Sequence, residues 1–162
     1  MYLLDTTVLL DLRKARGGEA DPRLSAWAGG VPREQLFVSV LALAEVEALA
    51  ARAPRGDGAA AVRRWIDEQL VPAFGNHLLP VDLAVARRRG QVPLAGDRDA
   101  LMAATALEHA LTLVTYDAAS YRGVRIKLFD PRRYDPEDAA DDWRAAAARS
   151  GPVWFRNLFL RS

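Results

Sequence analysis

The stretch DRDALMAATALEHALTLVTYD, residues 97–117, contains a helix and the strand that it feeds. Asp97 and Asp99 stand at the helix start, where carboxylates suit the macrodipole, and strong helix formers continue to Ala110. Leu111 to Thr115 then reads as a short buried strand, with Asp117 two residues past its end. The same alternation extends in both directions. Toward the N-terminus, strands are expected at Tyr2-Leu3-Leu4, Leu36 to Val40 and Leu78 to Val81. Between them lie helical patterns over Val8 to Lys14, Arg23 to Ala28, Leu41 to Arg52, Ala59 to Leu70 and Leu83 to Gln91, with Asp57 and Asp82 placed to cap the last two. Toward the C-terminus, Val124 to Phe129 supplies a fifth strand. Strands separated by helices predict an α/β sandwich around a mainly parallel five-stranded sheet.

Composition narrows the chemistry. The 162 residues carry 22 Lys+Arg against 21 Asp+Glu, and that balance excludes a polybasic nucleic-acid binder while leaving room for a local basic groove. Without Cys there is no disulfide, no zinc–thiolate site and no thiol nucleophile. Two histidines, His77 and His109, argue against a histidine-built metal site or a His-dependent triad. Of the 22 cations only Lys14 and Lys127 are lysines, which argues against a Lys nucleophile. No apolar run of about 18 residues is available to span a membrane, and the acids Asp5 and Asp11 spoil any reading of the N-terminus as a leader. A cytoplasmic protein is expected.

In a parallel α/β sheet the strand C-termini and the starts of the following helices share one edge, where ligands bind. Asp5 follows strand one, Asp117 follows strand four, and Asp97 and Asp99 begin the helix leading into strand four. Glu45 lies about 6 Å along the helix that starts at Leu41. Each acid also has an ordinary explanation: Asp5, Asp97 and Asp99 as helix caps or first-turn acids, Asp117 in an Asx-turn, Glu45 as a solvated helix residue. Together, several carboxylates in one cleft repel one another and call for a compensating cation. An all-oxygen donor set selects Mg2+ or Mn2+, and such ions suit attack on a phosphodiester.

With these residues in place, the sequence resembles the PIN-domain ribonucleases and, among them, the VapC-type toxins of bacterial toxin–antitoxin pairs. The likeness runs from Met1 to about Pro131. It is carried in order by Tyr2-Leu3-Leu4-Asp5-Thr6, Val38-Ser39-Val40 with Leu43-Ala44-Glu45, Asp99-Ala100-Leu101-Met102-Ala103-Ala104-Thr105-Ala106, and Leu111-Thr112-Leu113-Val114-Thr115 with Asp117. The resemblance implies a three-layer α/β/α PIN fold over residues 1–134 and Mg2+- or Mn2+-dependent endoribonuclease activity by water attack, without a covalent enzyme intermediate. It also implies that Asp5, Glu45, Asp99 and Asp117 are the catalytic and metal-holding acids, supported by Thr6 and Thr115. Asp97 has no fixed counterpart. Thr7, Ala42, Tyr116 and Tyr121 depart from the family's frequent Asn, Thr, Arg and Phe. The implied partners are an RNA substrate, a cognate antitoxin reaching the acidic cleft, and a second copy in a homodimer.

RNA contacts must come from arginines, with Arg87-Arg88-Arg89 and Arg63-Arg64 as candidates, although such runs also form ordinary solvated faces. Trp27, Trp65, Trp143 and Trp154 are candidate stacking groups, with Trp65 on an apolar face better suited to the core. Residues 135–162 form an extension: an Ala-rich helical pattern over Pro136 to Ser150, then the apolar tail Val153 to Leu160, expected to cover apolar surface of the domain or a dimer. Two rival readings are a catalytically weak PIN scaffold in an antitoxin complex on DNA and a receiver-like phosphoacceptor using Asp82, Thr115 and Lys127.

Overall fold

Leu3 and Leu4 are both fully buried, although neighbouring residues of a strand point to opposite faces, so the sheet that contains them is covered on both sides. They belong to β1 (Tyr2–Leu4), the central strand of five in a computed structural model that describes residues 1–53 and 57–135. The others are β2 (Leu36–Ser39), β3 (Leu78–Leu79), β4 (Thr112–Val114) and β5 (Lys127–Phe129). Their order is β3-β2-β1-β4-β5 and every pairing is parallel. Leu4 stands level with Val38 of β2 and Val114 of β4, which brings the ends of the three central strands into line.

Helices α1 (Thr6–Lys14) and α2 (Pro22–Gly30) connect β1 to β2; α3 (Val40–Arg52), α4 (Asp57–Trp65) and α5 (Val71–Phe74) connect β2 to β3; α6 (Leu83–Arg89) and α7 (Asp97–Glu108) connect β3 to β4. The expected flanked, parallel α/β sheet is therefore present. Buried residues of α1 (Val8, Leu9, Leu12), α3 (Ala42, Val46) and α7 (Ala100, Met102, Ala103, Ala104) build the core against the strands. At about 25 cal/mol per Å2, burying Leu- and Val-sized side chains contributes about 1.5–3 kcal/mol each before chain entropy opposes it.

Local chemistry sets the element ends. Ser39 Oγ accepts from the Leu41 amide at 3.2 Å, so the strand ends at Ser39 and Val40 begins the helix instead of closing β2. Pro80 has no N–H for a ladder, and β3 is only Leu78–Leu79, shorter than expected. The single helix expected over Ala59 to Leu70 divides: α4 stops at Trp65, a π-helical turn spans Ile66–Leu70, and α5 starts at Val71 with Pro72 in its first turn, which has no N–H for the preceding turn. The extension from Pro136 onward, including Trp143 and Trp154, lies outside the described residues. Trp65 is buried, as its apolar face suggested, and so is Trp27, which packs edge-on against Tyr2 at 5.2 Å and beside Phe129. Neither of these two indoles is a surface platform for bases.

Candidate functional site

The strand order reverses beside β1. The chain steps outward from β1 through β2 to β3, then returns to the other side of β1 for β4 and β5. The C-terminal ends of β1 and β4 flank that switch point, where open parallel sheets form their binding crevice. Asp5 stands at the end of one strand and Thr115 at the end of the other.

Asp5 is 3% exposed and serves two ends. Its Oδ1 accepts from the Thr6 amide at 2.8 Å, capping α1, and its Oδ2 accepts from Thr115 Oγ1 at 2.7 Å. Its backbone N–H donates to the Val114 carbonyl at 3.0 Å, which ties the residue to β4. The cap and the candidate site role therefore coexist in one side chain. Thr115 Oγ1 also accepts from the Asp117 amide at 3.1 Å, so one buried hydroxyl orients Asp5 and anchors the loop after β4.

Glu45 reaches the same place from the second turn of α3. Thr6 Oγ1 donates to its Oε2. Asp99 arrives from the first turn of α7. What joins the three acids is a residue that sequence reasoning missed. Arg98 donates through Nη2 to Asp5 Oδ1 and through Nε to Glu45 Oε1 at 2.9 Å. It also reaches Asp99 Oδ1 through Nη1 at 2.8 Å. Its Nη1 also meets the Tyr121 hydroxyl at 3.3 Å. The available signal was an arginine between two aspartates in the first turn of a helix, a position the macrodipole disfavours for a cation unless carboxylates compensate it. Tyr121 was likewise noted only as a departure from Phe, and its added hydroxyl is the atom that faces Arg98.

The electrostatics follow from this packing. Burial opposes the Glu45 charge, and hydrogen bonds from Arg98 and Thr6 with the Arg98 charge outweigh it, holding the carboxyl below its usual range. Burial likewise opposes the Arg98 charge, and the bonds to Glu45, Asp99 and Asp5 overcome it, holding the guanidinium above its ordinary value. Burial, reinforced by the Asp5 charge, raises the Tyr121 phenol and keeps it neutral.

The remaining candidates take other positions. Asp117 is exposed and turned to Ser120, accepting from its amide at 3.2 Å and from its hydroxyl. Those bonds lower its carboxyl, with Arg98 a smaller, through-space contributor. Asp117 thus borders the cluster and makes the Asx-type turn considered for it. Asp97 is separate: its exposed carboxylate pairs with Arg89 at 2.9 Å. Arg88 pairs with Glu108 at 3.1 Å and Arg89 also donates to the carbonyls of Val92 and Leu94, so these two of the three arginines in the run brace α6 against α7. Arg87 is exposed. Tyr116, standing where relatives often carry Arg, donates to Asp11 at 2.7 Å, and the Arg132 guanidinium lies 4.6 Å over its ring. A cation returns to that neighbourhood from the turn after β5. The receiver-like roles do not assemble: Asp82 caps α6 through the Val85 amide at 2.9 Å at the end of edge strand β3, whereas Thr115 follows β4, three strand positions and about 14 Å away.

The donor set is suited to a hard divalent ion, since carboxylate and hydroxyl oxygens alone converge here. Three acids from three segments already surround one cationic group. As spread around the guanidinium, no three acidic or histidine side chains among the described residues lie close enough to share a single ion.

Comparison with known proteins supplies the remaining context. The model of the PIN domain matches residues 2–125. The VapC ribonuclease Y4jK of Sinorhizobium fredii is 28% identical over 141 residues, covering 81% of this chain and 97% of the relative. Toxin FitB of Neisseria gonorrhoeae is 27% identical over 139 residues, covering 81% and 98%. Among solved structures, FitAcB from Neisseria gonorrhoeae superposes with a TM-score of 0.75 at 26% identity over 82% of this chain and 99% of its own. FitAB bound to an IR36 DNA fragment gives the same TM-score at 25% identity, over 83% and 98%.

Proposed function

The chain belongs to the PIN-domain family, and from that premise we propose that it is a divalent-metal-dependent endoribonuclease acting as the toxin of a toxin–antitoxin pair. The observation that carries this reading is the convergence of Asp5, Glu45 and Asp99, from three separate segments, at the switch point of a parallel sheet. The names of the VapC ribonuclease and the FitB toxin, similar over nearly their whole lengths, support it. Asp5, Glu45 and Asp99 are the residues to hold Mg2+ or Mn2+, with Asp117 completing the acidic rim. When bound, such an ion supplies activation of water and charge stabilisation at the phosphate.

The residues of the chain do the rest. Thr115 and the Thr6 amide fix both oxygens of Asp5, and Thr6 Oγ1 fixes one oxygen of Glu45, so the acids are held before substrate arrives. Water attacks the scissile phosphate, a carboxylate of the cleft accepts its proton, and the P–O bond to the ester oxygen breaks, the departing oxygen taking a proton from solvent. The solved structure of FitAB bound to a DNA fragment supports a second reading, in which this chain serves as a catalytically weak scaffold in an antitoxin complex on DNA. The presence of Asp5, Glu45, Asp99 and Asp117 at one edge of the sheet favours the active enzyme.

An antitoxin that covers the cleft, a homodimer and cytoplasmic residence belong to the same reading; among the described residues no helix is long and apolar enough to cross a membrane. Purified protein is expected to cleave RNA only with Mg2+ or Mn2+. Asp5→Asn and Asp99→Asn should each lower cleavage by more than the roughly 10- to 100-fold that loss of a supporting group costs. Undiminished cleavage by both variants would overturn the assignment.

A further inference from the structure

We propose that Arg98 is a built-in competitor for the divalent ion: it occupies the carboxylates that would hold the metal, and metal binding drives its guanidinium out of the cleft. This inference rests on the nuclease reading above and concerns how the same site is controlled.

The geometry is specific to competition. The Arg98 fork meets Asp5 Oδ1, both Glu45 oxygens and Asp99 Oδ1. Thr115 holds the second oxygen of Asp5, which leaves Oδ1, shared with the Thr6 amide, as the oxygen that meets Arg98. A guanidinium spreads its donors over a plane several ångströms wide, whereas an ion draws its ligands to about 2.0–2.1 Å from one point. The two demands on the same oxygens are incompatible, and the spacing of the acids in this structure fits the guanidinium.

Charge sets the direction of exchange. One positive charge stands against the three carboxylates it touches, with Asp117 nearby adding a fourth negative charge. Replacing a monovalent by a divalent cation reduces that excess, so exchange is favoured once the ion is concentrated enough to offset lost hydrogen bonds. Placement makes exit feasible. Arg98 is on the first turn of α7, its side chain is one-third exposed, and its Tyr121 contact at 3.3 Å is the longest of its phenol and carboxylate contacts. The side chain swings on its own rotamers while the helix stays in place. The protein then holds its acids together at low metal and becomes competent only above a threshold that Arg98 sets.

The test uses the full chain and the metal alone. The arginine Nε–H signals are followed by NMR during Mg2+ titration, with the Arg98 signal assigned by its absence from Arg98→Lys. In parallel, Mn2+ affinity is measured by calorimetry for the wild type, Arg98→Lys and Arg98→Gln. The expected result is that the Arg98 Nε–H signal, protected by Glu45, moves to the fast-exchanging position of solvated arginines as Mg2+ saturates. Mn2+ should bind about tenfold or more tightly to Arg98→Gln, with Arg98→Lys also tighter than wild type because it lacks the fork. A signal that stays protected at saturation overturns the proposal and leaves the metal reading standing, since ion and arginine then coexist. Absence of Mn2+ and Mg2+ binding in all three proteins overturns the metal reading and this proposal together. A circular-dichroism melt of each variant identifies any that has not folded, and the wild-type NMR arm decides the matter without a substitution.

Discussion

Arg98, on the first turn of α7, and Arg89, at the end of α6, are each bonded to an aspartate of the first turn of α7, and they differ in almost everything else. Arg89 faces Asp97, whose carboxylate is 87% exposed, and also donates through Nη1 to the Val92 carbonyl and through Nη2 to that of Leu94. Arg98 faces three carboxylates brought from residues 5, 45 and 99, one of them nearly inaccessible to water. The first arrangement closes a loop; its charges balance one to one and water screens them. The second is a cationic group amid surplus negative charge, in a crevice where desolvation sharpens every interaction. Charge density alone directs attention to the run Arg87-Arg88-Arg89. The number of carboxylates gathered per guanidinium directs it to Arg98.

That contrast is open to direct disruption. Thr115→Val removes the hydroxyl that orients Asp5 while leaving every charge in place. RNA cleavage should fall by about 10- to 100-fold, the range for loss of a supporting group around a metal ligand. Unaltered cleavage kinetics would mean that the Asp5 geometry tolerates slack and that the cluster is less tuned than its bonds imply. A third ion pair gives an intermediate case. Asp130 caps the turn Pro131–Arg133 and holds Arg132 over Tyr116. Hydrogen bonding from Arg132 overcomes the opposing effect of burial and lowers its carboxyl.

A group lowered in the folded state contributes stability above its unfolded value, near pH 3.9, and loses it as pH falls through the folded value. Asn keeps the capping oxygen, so Asp130→Asn should cost about 1 kcal/mol at pH 7 only through the lost charge-assisted bonds to Arg132, with the deficit in urea melts shrinking below about pH 4. A deficit independent of pH would assign the effect to shape instead of charge. The smallest expected change is at the Arg89 pair. Asp97→Asn should alter stability by about 0–1 kcal/mol and leave cleavage untouched. A tenfold fall in cleavage would merge the two regions that the structure keeps apart.

Much of the frame was legible beforehand because its causes are local. Leu3-Leu4, Phe37-Val38 and Leu113-Val114 are apolar runs that only a doubly covered sheet buries well, and the caps at Asp5 and Asp82 act within three residues. Asp5, Glu45 and Asp99 were also within reach, since strand ends and helix starts of a parallel sheet share an edge. The short β3 and the π-turn before Pro72 escaped because apolar content outlines elements more broadly than hydrogen bonding permits. The candidate bases-stacking role of Trp27 failed for a different reason: whether an indole faces core or solvent depends on what Tyr2 and Phe129, distant in the chain, present to it.

The amino-acid sequence by itself determined the alternation of strands and helices, the carboxylates at one edge and a donor set suited to a hard cation. Each of these follows from periodicity, capping and residue chemistry over a few positions. Tertiary structure alone decided which cation those acids hold here. Arg98 is separated from Glu45 by 53 residues and from Asp5 by 93, so no local rule links them. Only the register of β1 against β4 and the seating of α7 beside them put a guanidinium between three carboxylates, where their shared charge outweighs the cost of placing a cation at a helix N-terminus.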